Sequence, residues 1–218
     1  PIFLDNDVNL MALAEQRLGA AKGFRNVVCL TLGTGVGGGL VINKAIYRGS
    51  TFAAGEIGHL PLNEKGPRCS CGGRGCLEAY IGNTRIIQKA RRLFKRRVFP
   101  EELSYLAKKK NKKAIRLWNE MGEHLGIALC GVINLLNPDA IVIGGGLAGA
   151  GKVLFDKVKK TIFKRAMSVQ ARYVRVMPAK LGSDAGLIGA AILVKEFLEV
   201  SPSNISKTKE LKGYADIY

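Results

Sequence analysis

Glu56-Ile57-Gly58-His59, nine intervening residues, and Cys69-Ser70-Cys71-Gly72-Gly73-Arg74-Gly75-Cys76-Leu77-Glu78 form the stretch on which the fold is read. One histidine and three cysteines within about twenty residues make the donor set of a tetrahedral Cys3His metal site. Thiolates favour a soft or borderline ion, which points to zinc held by His59, Cys69, Cys71 and Cys76. The glycines let a short loop turn back so that three sulfurs reach one point. The spacing is not the common C-x2-C pair, and the competing reading is a set of free thiols beside an unrelated histidine. Cys69 and Cys71 are too close in sequence to pair readily as a disulfide. With four protein ligands the ion is structural, leaving no open position for substrate. Glu56 and Glu78 flank the loop, so a pinned loop fixes two carboxylates, an arrangement suited to accepting hydroxyl protons from a polyol.

Working outward, 218 residues allow one large domain or two small ones, and a hydrophobic share of 47% supports a sizeable core. No apolar run is long enough to span a membrane, and the first residues lack a signal-peptide pattern. Five cysteines used in this way indicate a reducing, cytoplasmic compartment. Cys29 and Cys130 read as buried core thiols. The formal net charge of +17 raises nucleic acid or an anionic substrate as partners. The basic residues show no aromatic interleaving in the sequence, so a lysine-rich solvated surface, or one part of a larger protein whose other part is acidic, is preferred.

Toward the N-terminus, Pro1 to Leu4 reads as the end of a strand, and Asp5-Asn6-Asp7-Val8-Asn9 opens a helix running to Leu18, ended by Gly19 and Gly23. Asp and Asn there serve as N-caps, yet a carboxylate where a strand gives way to a helix is also well placed as a general base. Val27–Leu32 is a buried strand, followed by Gly33-Thr34-Gly35-Val36-Gly37-Gly38-Gly39, Leu40–Ile42, a turn at Asn43-Lys44, and Ala45–Tyr47. Glycines at the first turn let backbone N–H groups approach phosphate oxygens, although on glycine content alone a plain hairpin is the better reading. The Rossmann fingerprint is not met, because no helix follows these glycines. Residues 79–118 read as mostly helical and basic, interrupted at Pro100, and 120–136 as a longer apolar helix. Ala140–Ile143 is a buried strand whose C-terminal Gly144-Gly145-Gly146 could seat the adenosine of a nucleotide or simply turn the chain. Residues 152–163 form an amphipathic helix, 174–177 a strand and 181–198 a last helix, with a polar tail over 201–218. The expected fold is α/β, a mixed sheet with helices on its faces.

Asn6-Asp7-Val8-Asn9, Leu32 to Gly39, Gly55 to His59, Cys69-Ser70-Cys71-Gly72 with Gly75-Cys76-Leu77-Glu78, Ile143 to Gly146, and Asp184-Ala185-Gly186 together resemble the ROK family of sugar kinases and repressors, its glucokinases most of all. The resemblance implies an actin/hexokinase-type (ribonuclease H-like) ATPase fold, with residues 1–200 as the large C-terminal domain and the zinc loop at 56–78. It implies ATP-dependent phosphorylation of a hexose, glucose first, with N-acetylmannosamine or N-acetylglucosamine as other substrates. The sugar-sensing domain of a repressor is the alternative. Asp7 becomes the base. Asn6, Glu56, His59 and Glu78 hold sugar hydroxyls, and Gly33, Thr34, Gly35 and Gly37 face the phosphates of ATP. Gly145 and Gly146 lie near the adenosine, Mg²⁺ travels on the phosphates, and a homodimer is implied. His59 would then serve twice, one ring nitrogen on zinc and the other toward the sugar. The family's N-terminal small domain, with its Asp-x-Gly-Gly-Thr loop, has no counterpart here, so the chain alone is expected to be weakly active or inactive and to expose an apolar patch.

Overall fold

A computed structural model describes residues 2–200, and the tail expected over 201–218 lies outside the described residues. The sheet has five strands in the order β3-β2-β1-β4-β5. They are β1 (Val27–Leu32), β2 (Val36–Ile42), β3 (Ala45–Tyr47), β4 (Ala140–Gly144) and β5 (Arg175–Pro178). β1, β2 and β3 form an antiparallel meander in which Leu32 faces Val36 and Leu40 faces Tyr47. β4 joins β1 in parallel, Thr31 beside Gly144, and β5 joins β4 in parallel, Ala140 beside Arg175. Asn43 and Lys44 both have positive φ, 53° and 68°. That backbone twist suits a two-residue hairpin.

β1 and β4 read as continuous apolar runs because both of their faces are covered. Alternate residues serve different cores. Val28, Leu30, Leu32, Ile141 and Ile143 pack with Leu125, Leu129 and Ile133 of α5 (Lys112–Leu136) and Leu154 and Val158 of α6 (Lys152–Arg165). Val27, Cys29, Val41 and Val142 pack on the opposite face with Met11, Ala12 and Ala14 of α1 (Asp7–Arg17) and Ala185 and Ile188 of α8 (Ala185–Val200). Cys29 and Cys130 are free and buried, and burial raises both thiols. Glu15 on α1 is fully buried and accepts backbone N–H bonds from Ala20, Lys180 and Leu181. It thereby ties α1 to the segment after β5.

Several boundaries differ from the sequence reading. Among the described residues, 2–6 form no strand; Ile2 and Leu4 are exposed. A short apolar run has strand composition, but pairing requires a neighbour. α1 ends at Arg17, capped by the Leu18 N–H, before Gly19. The basic region divides into α2 (Leu77–Ile81), α3 (Asn83–Phe94) and α4 (Pro100–Lys108), and α5 begins eight residues before Glu120. Pro100 starts α4 rather than interrupting a helix, where its missing N–H costs nothing. The Asn111 side chain caps α5 by accepting from Lys113 and Ala114 N–H. Aromatic interleaving of the cations, unseen in the sequence, is present in space: Arg97 lies over Phe99, Lys109 over Tyr105 and Lys113 over Phe94. A short helix, α7 (Ser168–Tyr173), follows α6. Among the described residues no helix is long and apolar enough to cross a membrane.

Candidate active site

A cleft of about 500 Å³ opens at the carboxyl ends of the parallel strands, where α/β sheets bind ligands. Three regions converge on it. The N-terminus of α1 brings Asn6 and Asp7. The β1–β2 turn brings Gly33, Thr34 and Gly35, and the start of β2 brings Gly37. The segment before α2 brings Glu56 and His59, and the first turn of α2 brings Glu78. Gly145 lines the same cleft, while Gly146 does not. Gly145 has φ 84°, and an added Cβ would strike the Leu32 backbone, so the turn after β4 can press against β1 only without a side chain. Thr31, Phe52, Ala53 and Ala54 also line the cleft and carried no signal in the sequence, and Gly38 joins them from within the glycine-rich stretch.

The Asn6 side chain accepts the Val8 N–H at 2.9 Å, so it caps α1 as well as facing the cleft. Asp7 is the first helical residue and exposed, its carboxylate near its own helix terminus and accepting from Val8 N–H at 2.9 Å. Glu78 is held from two sides. Its Oε2 accepts the Val36 N–H at 3.0 Å, and its Oε1 accepts the Ser70 hydroxyl at 3.0 Å. The carboxylate thus bridges the glycine turn and the cysteine loop. A Cβ on Gly35 would sit 2.5 Å from Glu78 Oε2. Gly35 therefore makes room for this carboxylate, whatever else it faces. Gly33 N–H donates to Gly35 O within the turn.

The cysteine loop is a narrow ribbon. Leu77 N–H donates to Leu60 O, Leu62 to Gly75 O, Gly75 to Pro67 O and Cys69 to Gly73 O. Its end gathers His59, Cys69, Cys71 and Cys76, whose ligand atoms all lie within 4.8 Å of one another. Cys71 Sγ and Cys76 Sγ are 3.7 Å apart, and Cys69 Sγ is 3.6 Å from His59 Nδ1. A tetrahedron with Zn–S near 2.3 Å and Zn–N near 2.05 Å needs about 3.8 Å and about 3.6 Å for these edges. The donor set and its spacing therefore fit zinc. Nδ1 faces the sulfurs, and Nε2 points the other way, 3.8 Å from Glu56 Oε2. Burial works against ionisation of Cys69, but hydrogen bonds from Cys71 above all, then His59 and Cys76, hold its thiol at about 7. Burial, reinforced by Cys71 and Cys69, pushes Cys76 up to about 12. One thiolate is favoured and a second opposed, a conflict that a bound divalent cation relieves.

The chain matches the ROK family over residues 1–197. It is 32% identical over 209 residues to the glucokinase of Thermotoga maritima, covering 89% of this chain and 66% of that protein. It is 29% identical over 201 residues to the xylose repressor of Bacillus spizizenii, covering 92% of this chain and 52% of that one. The chain thus spans just under two thirds of the first relative's length and about half of the second's. Among solved structures, a ROK family glucokinase from Streptomyces griseus in complex with glucose and AMPPNP superimposes with a TM-score of 0.82 at 30% identity, covering 90% of this chain and 69% of that one. With a family match running nearly end to end and its fold reproduced in a solved member, the chain belongs to the ROK family.

Proposed function

We propose that this chain is the large C-terminal domain of an ATP-dependent hexose kinase acting in the cytoplasm, with glucose as the first substrate to test. The observation that supports the reading most is the meeting of Asp7, Asn6, Glu56, His59 and Glu78 with the Gly33–Gly35 turn in one cleft. Phosphoryl transfer relies on positioning and charge neutralisation more than on covalent chemistry. Asp7 accepts the proton of the attacking hydroxyl. Asn6, Glu56, Glu78 and the outward Nε2 of His59 orient the sugar, each oxygen of Glu78 keeping a lone pair beyond those engaged by Val36 and Ser70. The Gly33 N–H is used inside the turn, so the phosphates meet the backbone at Thr34 and Gly35, with Gly145 on the adenosine side. His59, Cys69, Cys71 and Cys76 would hold a structural zinc, which would supply no acid–base chemistry and would order the loop between Glu56 and Glu78. Mg²⁺ would be held chiefly by the ATP phosphates and would neutralise their charge, with few ligands asked of this chain.

The test is a hexose screen with ATP on the complete gene product. Asp7→Asn is expected to lower kcat by about 10²- to 10⁴-fold, the range of a general base, with little change in sugar KM. Retained turnover in that variant overturns the assignment. The 218 residues alone should turn over slowly or not at all. The similarity to xylose repressors supports a second reading, a sugar-sensing domain. Sugar binding by the complete protein without ATP hydrolysis would favour it. N-acetylmannosamine and N-acetylglucosamine belong in the same screen.

A further inference from the structure

The Asn6–Asp7 turn must hold its geometry although little secures the chain leading into it. Residues 2–6 have no regular secondary structure, and Ile2 is 98% and Leu4 82% exposed. Phe3 packs edge-on against Phe197, ring centroids 4.7 Å apart, and the polar grip on this approach is Asp5. Its side chain is only 6% exposed. Oδ2 accepts both Nε and Nη2 of Arg48, at 2.9 and 2.6 Å. Oδ1 accepts the Asn6 N–H at 2.8 Å and Asn9 Nδ2 at 2.9 Å. One carboxylate therefore bonds the backbone between itself and the cleft, the next turn of α1, and a cation 43 positions away. Because a carboxylate only accepts, Asn9 must turn its NH2 toward it, and Asn9 Oδ1 is left buried without a partner among the described residues.

Arg48 sits just past β3 and acts in two directions. Its guanidinium holds Asp5, while its carbonyl accepts the Ala54 N–H at 3.0 Å. That bond closes the 48–54 loop, from which Phe52, Ala53 and Ala54 also line the cleft. A single residue thus links the turn carrying Asp7 to the loop that leads into Glu56.

We propose that Asp5 and Arg48 are a positioning pair that sets the Asn6–Asp7 turn against the loop wall, so that the Asp7 carboxylate reaches the sugar hydroxyl. The inference rests on the kinase reading and adds to it two residues that do not touch substrate. A small misplacement of a base costs rate far more than affinity. The planar fork matters as much as the charge, because lysine offers a point charge and cannot make both bonds to Oδ2 in one plane.

The experiment compares Asp5→Asn, Arg48→Lys and the double variant with the parent, in the complete gene product, using the hexose and ATP of the parent assay. Each single variant should lose roughly ten- to hundredfold in kcat, with the KM for ATP within twofold, metal content unchanged, and the protein still fully folded at the assay temperature despite a lower melting temperature. The double variant should be no slower than the worse single, since both changes break one link. Glu196→Gln removes a different ion pair on α1, with Arg17, and should leave kcat alone. Pair variants that match the parent while Asp7→Asn is inactive overturn the pair and leave the kinase reading standing. A fall in rate matched by a loss of folded protein at the assay temperature, with losses that add in the double variant, also overturns it as a mere stability effect. A parent that phosphorylates no hexose brings down both readings together.

Discussion

Gly35→Ala separates two accounts of one glycine. In the first, Gly35 is small so that phosphate can approach; in the second, it is small so that Glu78 can. The structure gives the second a magnitude. The new Cβ would stand 2.5 Å from Glu78 Oε2 and 3.4 Å from its carboxyl carbon, whereas ordinary contact begins at 3.4 Å. The oxygen must retreat by roughly the difference, about 0.9 Å, and its bond to the Val36 N–H, now 3.0 Å, lies beside the point of collision. A hydrogen bond to a charged group is worth about 1.5–3 kcal/mol, or about ten- to hundredfold in rate or binding. If Glu78 orients the sugar, kcat/KM for the hexose should fall by that factor while the KM for ATP stays within twofold. Steady-state kinetics over both substrates reads the split. The decisive arm is the same substitution in a Glu78→Ala background, where nothing remains to collide and Gly35→Ala should cost almost nothing further. An equal loss in both backgrounds, or a loss confined to the ATP KM, refutes the reasoning.

Two further expectations follow from the same coordinates. Cys71 is the exposed member of the cysteine cluster, so Cys71→Ser removes a ligand with little loss of packing. It should reduce the metal content from about one ion per chain to well below that by elemental analysis, and lower the melting temperature; unchanged stoichiometry would exclude the four-ligand site. His124 on α5 stacks on Tyr80, and burial, then Lys89, hold its imidazole below the usual value of 6.5 against the opposing pull of Glu120 and Glu123. The unfolded chain therefore takes up this proton first as pH falls. The contribution of His124 is whole above about pH 6.5 and is lost as pH drops through the window below it. Urea midpoints at pH 7.5 and 5.5 should fall less in His124→Gln than in the parent, and equal falls would count against it.

The parts of the site that could be read from sequence are those whose chemistry is local. His59 and the three cysteines declare themselves because few other arrangements need those residue types so close together. The strands β1 and β4 are legible because central strands covered on both faces become unbroken apolar runs. Partnerships across the chain left no trace. Asp5 and Arg48, or Gly35 and Glu78, are each more than forty residues apart, and either member alone has an ordinary explanation as a cap or a turn. The early start of α5 was hidden because its first turns carry lysines and arginine, whose helical face shows only where Ala114 and Leu117 become buried. The strand read into the first residues failed for the converse reason: Ile2-Phe3-Leu4 has the composition, but composition does not supply a partner. Of the cation–aromatic contacts in the basic region, Arg97–Phe99 and Lys109–Tyr105 are local, while Lys113 over Phe94, nineteen positions apart, required the packing of α3 on α5 to be seen.

The two sides of the cleft are held by different physics. The glycine turn and Gly145 hang directly from β1, β2 and β4, whose side chains fill two cores, so they inherit the rigidity of close packing. The loop over 61–75, strung between Ile57 and Leu77, which are themselves buried in the larger core, has no such support. Nearly all of residues 61–75 are exposed or half-exposed, and fixing that much backbone costs conformational entropy that little apolar burial offsets. Ribbon hydrogen bonds and four convergent ligands take the place of a core there. Their positions explain why that matters for chemistry: His59 follows Glu56 by three residues and Glu78 follows Cys76 by two. Each carboxylate is therefore within one helical turn of a ligand. Glu78 is bonded in addition to Ser70 inside the loop and to Val36 at the start of β2. That side chain is where the cysteine loop and the glycine turn of the sheet are brought into register.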